Sequence, residues 1–233
     1  MAPQFMGIVQ HNEGQKPVED DMTYIRLIAA LMLGFGLSAC ASVDTASRNA
    51  PLESPALLQP APLSLDVRAI RVSVPKSLKV SEANRYYPGG DIVWREDPLG
   101  DRHEQVKAIF EAGLSAGVAR MDHGTVPVML DVMVTRFHAL SEKARYTIGG
   151  VHAVQFKFLL RNPETGEAYG EPKFVKVDFK AYGGQMAINA ERKGLTQKVR
   201  IIDHLSEAIR QELQTSEGYH AEATGLIGAL NQI

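Results

Sequence analysis

VMLDVMVT, residues 128–135, is the stretch whose reading decides the fold class. Val128, Leu130, Val132 and Val134 alternate with Met129, Asp131, Met133 and Thr135. Successive side chains of a strand point to opposite faces, so a strict period of two predicts a strand with one dry face and one wet face. A sheet of such strands needs an apolar partner layer over its dry side.

The same period recurs on both sides of this stretch. Downstream, His152, Val154, Phe156, Phe158 and Leu160 share one face of the next strand. Asn162-Pro163 and Gly166 then predict a hairpin loop, after which Val175, Val177 and Phe179 face inward on the returning strand. Upstream, LSLDVRAIRVSV (63–74) alternates with a slip of phase around Ala69-Ile70, which reads as a β-bulge. Pro75 ends it, and a loop follows that closes on Tyr86-Tyr87-Pro88-Gly89-Gly90. Asp91-Ile92-Val93-Trp94 reads as a short strand.

Two segments carry helical spacing and supply the partner layer. Pro98-Leu99-Gly100-Asp101 reads as a helix start with Asp101 as N-cap, and Val106, Ile109, Phe110, Gly113 and Gly117 form one face. The two glycines cost helix propensity and are expected to let this helix approach a sheet closely. The second helix is predicted from Thr196 to Gln214, with Leu195, Val199, Ile202, Leu205, Ile209 and Leu213 as its apolar stripe. The expected order is β-β-α-β-β-β-α. The expected fold is an α+β two-layer sandwich over residues 63–215, a mostly antiparallel sheet with two helices on one face. Residues 216–233 read as a weakly ordered tail, with a short helix at Leu226–Leu230.

Chemistry-bearing patterns are sparse. The chain has 233 residues and a formal charge of −2. Beyond residue 39 it holds 23 bases and 23 acids, a balance without the electrostatic footprint of a nucleic-acid binder. Gly113-Leu114-Ser115-Ala116-Gly117 spells Gly-x-Ser-x-Gly, but it lies inside a predicted helix and not at a strand-to-helix turn, so it is no nucleophile elbow, and no phosphate loop occurs. Histidines 103, 123, 138, 152 and 204 lack metal-ligand spacing and read as surface or loop residues. The expectation is a protein that is not an enzyme and holds no cofactor or metal. Three double glycines follow aromatics: Tyr87-Pro88-Gly89-Gly90, Tyr146-Thr147-Ile148-Gly149-Gly150 and Tyr182-Gly183-Gly184. They read as turns needing positive φ, or as loops at one end of the sheet forming a rim for a partner. Trp94, Tyr86 and Tyr87 are candidate interface anchors. Arg192 and Lys193, with Lys198 and Arg200, are a candidate basic surface toward lipid headgroups or an acidic partner.

The N-terminal region has a different character. From Met22 it reads MTYIRLIAALMLGFGLSAC, with Arg26 as a short positive segment and Leu27–Leu37 as an uncharged apolar run of 11 residues. A membrane span needs about 20 apolar residues, whereas signal peptides carry runs of about 7–15 followed by small residues at a cleavage site. A buried helix with a chance cysteine, or an ordinary secretory signal cut nearby, are the alternatives. Gly34, Gly36 and the missing polar face argue against the buried helix. Leu37-Ser38-Ala39-Cys40 resembles the lipobox of bacterial lipoproteins. That resemblance implies cleavage between Ala39 and Cys40, a diacylglycerol on the Cys40 sulfur and often a further acyl chain, such as palmitate, on the new amino group. Two or more chains anchor stably where one is marginal. On this reading residues 22–39 are the signal peptide, and residues 1–21, with Glu19-Asp20-Asp21 of the wrong sign, are a non-native extension. Residues 40–62, with prolines 51, 55, 60 and 62, are a lipidated cysteine and tether spanning roughly 25 Å as a coil. Ala41, in place of an aspartate, resembles the sorting pattern for the periplasmic face of the outer membrane.

The short strand with Trp94, then Pro98, then a helix from Asp101, is similar to the ABC-transport auxiliary lipoproteins. The layout of two helices on a sheet also resembles the outer-membrane lipopolysaccharide-assembly lipoprotein. These resemblances imply a non-enzymatic accessory in envelope assembly or lipid transport. Its partners would be the membrane, through acyl chains on Cys40, and an envelope protein. The alternative is a domain that binds a lipid or glycan between sheet and helices.

Overall fold

The computed structural model describes residues 64–222 and 224. The expected signal peptide, Cys40, the tether, the extension 1–21 and the Leu226–Leu230 helix lie outside the described residues.

Among the described residues nine elements follow one another: β1 (Leu65–Ser73), β2 (Ile92–Val93), α1 (Arg102–Val118), β3 (Val126–His138), α2 (Glu142–Arg145), β4 (Gly150–Arg161), β5 (Lys173–Ala181), α3 (Gly184–Arg192) and α4 (Gln197–Gln214). The strands form one five-stranded sheet in the order β1-β3-β4-β5, with β2 pairing β3 beyond the end of β1. β3/β4 and β4/β5 are antiparallel, but β1/β3 and β2/β3 are parallel. The sheet is therefore mixed: its longer ladders are antiparallel, as expected, but it is not purely so. The cause is α1: a helix inserted between two neighbouring strands returns the chain to the end from which it started, which makes the pair parallel. Among the described residues the helices number four rather than two, since α2 and α3 lack the long apolar spacing that reveals α1 and α4.

β3 is the spine. Val128, Leu130, Val132 and Val134 are buried, as their alternation requires. A bulge at Thr135 then shifts the phase, so that Phe137 rather than Arg136 turns inward. A second bulge, at Arg68 of β1, lies one residue before the predicted slip. Inward residues of β4 and β5 (Val154, Phe156, Phe158, Val175, Val177, Phe179) join Val106, Ile109, Phe110 and Leu114 of α1 and Ile201, Leu205, Ala208 and Ile209 of α4 in one core. Phe110 packs edge-on against Phe156 at 5.6 Å and tilted against Phe137 at 6.2 Å, geometries worth about 0.5–1.5 kcal/mol each beyond burial.

Asp101 caps α1, accepting from the N–H groups of His103 and Glu104, and Thr196 caps α4, accepting from Val199 N–H. The stripe of α4 is rotated from the one expected: Ile201 and Ala208 are buried, while Leu195 and Val199 are exposed. Gly113 and Gly117 serve a different neighbour from the sheet. A Cβ on Gly113 would lie 2.7 Å from Leu205 Cβ, and one on Gly117 would lie 2.4 Å from both Ile209 Cγ2 and the Ser206 carbonyl oxygen. These glycines let α1 and α4 touch backbone to side chain, forming a helix–helix seam. Residues 216–222 do not leave the domain. Tyr219 packs against the core, and its N–H donates to the buried carboxylate of Glu212, which also pairs with Lys173.

Candidate functional site

The strand register gathers all three double glycines at one end of the sheet. Gly150 pairs with Ala181, Ala153 with His138, and Ile92–Val93 with Phe137–His138. His138 Nε2 lies 2.7 Å from the Gly90 carbonyl oxygen, which ties the first double-glycine loop to the end of β3. Gly149, at φ +74°, and Gly183 meet backbone to backbone: a Cβ on Gly183 would lie 2.1 Å from the Gly149 nitrogen. Gly90, Gly149, Gly183 and Gly184 are thus required by close approach or positive φ, and the result is a compact loop cluster. Its rim carries Tyr87, Tyr146, Ile148 and Met186, exposed by 60, 46, 67 and 53%. A cavity of about 410 Å³ opens beside Ile148, Tyr182 and Met186.

Beneath the rim, four consecutive residues act as a hub. Trp94 is wholly buried, T-stacked on Phe137 at 5.7 Å, and its indole N–H donates to Asp97 Oδ2 at 2.8 Å. Asp97 Oδ1 takes Lys198 Nζ at 2.8 Å. Arg95 pairs with Glu142 of α2 at 2.5 Å and with Glu82. Glu96 accepts from the N–H groups of Gln197 and Lys198 at 3.0 and 3.3 Å, placing negative charge at the N-terminus of α4. It also takes Arg145, whose other partner is Glu191 at 2.6 Å. Buried Arg102 joins this lattice through Glu82, at 2.7 Å. Burial works to raise the carboxyls of Asp97 and Glu142, but Lys198 and Trp94 at the first, and Arg95 at the second, outweigh it and hold both below the usual carboxylate range.

These contacts correct several sequence expectations. Trp94 is a core residue and presents nothing to a partner, while Tyr86 and Tyr87 are exposed, Tyr86 under the Lys143 ammonium at 4.7 Å. The basic surface is divided. Lys198 is spent on Asp97, and Arg200 lies 3.7 Å over the Tyr182 ring and donates to the Lys180 carbonyl oxygen. Arg192 and Lys193 alone remain exposed, at the end of α3. Sequence reasoning passed over Glu96 and Asp97, although two acids directly before a Pro-led helix start were a visible signal.

The histidines are not all on loops. His138 is buried, and burial together with Arg136 pushes it down to about 4, against the Gly90 carbonyl and Asp91. His152 is fully buried beside Phe179, with no hydrogen-bond partner on either ring nitrogen among the described residues, and burial holds it neutral. His204 stacks on Phe179 at 3.6 Å. Among the described residues no group of three or more His, Cys, Asp or Glu is placed to hold a metal ion. No described helix is long and apolar enough to cross a membrane.

At the opposite end of the sheet, where β1 begins, lies an apolar groove of about 390 Å³ lined by Leu65, Phe158, Leu160, Tyr169 and Leu213, with the Lys173–Glu212 pair at its rim.

No curated protein matches the chain. Among solved structures, a lipoprotein candidate from Caulobacter crescentus CB15 is 12% identical over 62% of this chain and 87% of its own, with a TM-score of 0.33. A Xanthomonas campestris protein of family DUF330 is 8% identical over 66% and 93%, with a TM-score of 0.38. A dodecameric PelC from Paraburkholderia phytofirmans is 17% identical over 63% and 92%, with a TM-score of 0.26. A family model covers residues 65–229, and the chain belongs to that family, the family of unknown function DUF6778.

Proposed function

We propose that this protein is a lipid-anchored component of the bacterial envelope, held at the periplasmic face of the outer membrane. It acts without catalysis, as an accessory in envelope assembly or lipid transport. The observation that carries this reading is the ordered series Arg26, the apolar run Leu27–Leu37, and Leu37-Ser38-Ala39-Cys40. The geometry of the domain supports it. Leu65 pairs with Val126, at the far end of β3 from the double-glycine loops. A tether ending there holds the domain by one end and leaves the Tyr87, Tyr146, Ile148 and Met186 rim at the other, about 40 Å away along β3 at strand rise. Cys40→Ala is expected to move the protein from the membrane fraction to the soluble periplasm. Retention in the membrane would remove the anchor.

The 390 Å³ groove favours a second reading, a lipid- or glycan-binding domain, since it falls within the usual size of ligand sites. Native mass spectrometry after mild extraction separates the two readings. A stoichiometric lipid or glycan that is lost in Leu213→Glu supports the binder.

A further inference from the structure

The outer edges of the sheet are not treated alike. Along β5, Glu222 accepts from the Lys180 N–H at 3.2 Å, so the tail engages that edge near its end. Along β2, Ile92 donates to the Lys79 carbonyl oxygen at 3.0 Å and accepts from Ser81 N–H at 2.9 Å. Among the described residues no segment pairs with the outer edge of β1, the longest stretch of this side. An uncovered edge is a template for another strand.

The sequence of β1 says which strand fits. Val67 lies opposite Val128 and Ala69 opposite Met129, so Arg68 is the extra residue of the bulge. On one side of it Leu65 and Val67 face the core and Asp66 faces away. On the other side Ile70 and Val72 face the core and Arg71 faces away, toward Asp131. In an unbulged strand, antiparallel self-pairing about a point between two residues sets inward side chains against outward ones. The extra residue removes that conflict. Pairing about the Arg68–Ala69 bond sets Leu65 against Val72, Asp66 against Arg71 and Val67 against Ile70, and two-fold symmetry makes each pair twice. Opposite charges meet on the outer face and apolar residues meet on the core face. Arg71 is free to take part, with its side chain 65% exposed and Asp131 no nearer than 3.9 Å. Arg68 approaches its own copy near the axis, but its 2.6 Å pair with Asp66 offsets that repulsion.

We propose that a second copy of this chain docks antiparallel along β1, joining two five-stranded sheets into one through a symmetric, self-complementary interface. The test is sedimentation equilibrium of the full chain in density-matched detergent, with circular dichroism melting as a folding control. The chain is expected to be dimeric at micromolar concentration. Asp66→Arg, which sets like charges opposite one another twice, is expected to weaken the dimer tenfold or more. Asp66→Arg with Arg71→Asp restores it, because cross-strand charge pairs change sign with their partners. A monomer at all concentrations would overturn the proposal and leave the bulge and the arginines as guards of a solitary edge. A dimer indifferent to both variants, or a different protein bound along β1, would overturn it as well.

Discussion

The α1–α4 seam and the Trp94–Asp97 hub hold the same two helices in place by opposite means. The seam is steric. Gly113 and Gly117 remove the side chains that would keep α1 from Leu205, Ser206 and Ile209, and a close-packed surface has no slack to absorb an added methyl group. The hub is electrostatic: Glu96 and Asp97 grip the first turn of α4, and Arg102 ties the start of α1 to Glu82 and to the carbonyl oxygens of Asp97 and Pro98. A steric joint fails abruptly and ignores pH. A charged joint fails by degrees and has a pH at which it loosens.

Four measurements sharpen or break this contrast. The largest effect belongs to the seam. Gly117→Val is expected to cost more than the usual overpacking range of about 1–3 kcal/mol, because one of the two atoms it strikes is backbone. A urea midpoint equal to that of the parent would show that the helices can separate without cost. Next comes pH at the hub's end of the sheet. His138 is charged only below about 4 in the folded chain and below about 6.5 when unfolded. Its contribution is therefore fully present above pH 6.5 and is lost as pH falls from 6.5 toward 4, by about 3 kcal/mol in all. Asp97 and Glu142, held low, add a further loss only below the ordinary carboxylate range. Urea melts between pH 7.5 and 4.5 should slope accordingly, and His138→Gln should flatten them; an unchanged slope would move the effect elsewhere.

Trp94→Phe should cost about 2 kcal/mol, from the lost indole donor to Asp97 and the space left beside Phe137. Amide exchange should rise in the first turn of α4 while the seam stays protected. Exchange rising equally in both would mean that they are one unit. The smallest effect is Glu96→Gln, about 1 kcal/mol, in line with the loss of a charged acceptor at a helix start. A cost as large as that of Gly117→Val would erase the distinction.

Much of this architecture is legible in the residues, and the rest is not for identifiable reasons. The alternation at 128–135 marks which side chains of β3 face inward, but a period of two is the same in parallel and antiparallel pairs. The direction of β1 had to be read from the intervening helix Arg102–Val118, which demands a crossover. Asp101 and Thr196 announce their helices because an N-cap is a local interaction. Gly113 and Gly117 announce close approach but not to what, since α4 lies about ninety residues further on in the chain. Trp94 misleads because an aromatic beside charged residues looks the same whether it caps a surface or plugs a core. Its indole N–H finds an acceptor three residues away, and that lets the ring go fully inside. The double-glycine loops are visible as turns, but the contact of Gly149 with Gly183 depends on β4 pairing with β5 in one register.

The seam has a further consequence, for the order in which the chain assembles. It joins α1 to α4, across the whole β3–β4–β5 meander. The meander's own contacts are between neighbours along the chain and close short loops. The seam closes a loop longer than any of these, and such contacts dominate the entropy of reaching the native topology. Until α4 arrives, the inward faces of α1 and the sheet stay uncovered, and α4, synthesised after the whole sheet, finishes the core that α1 began.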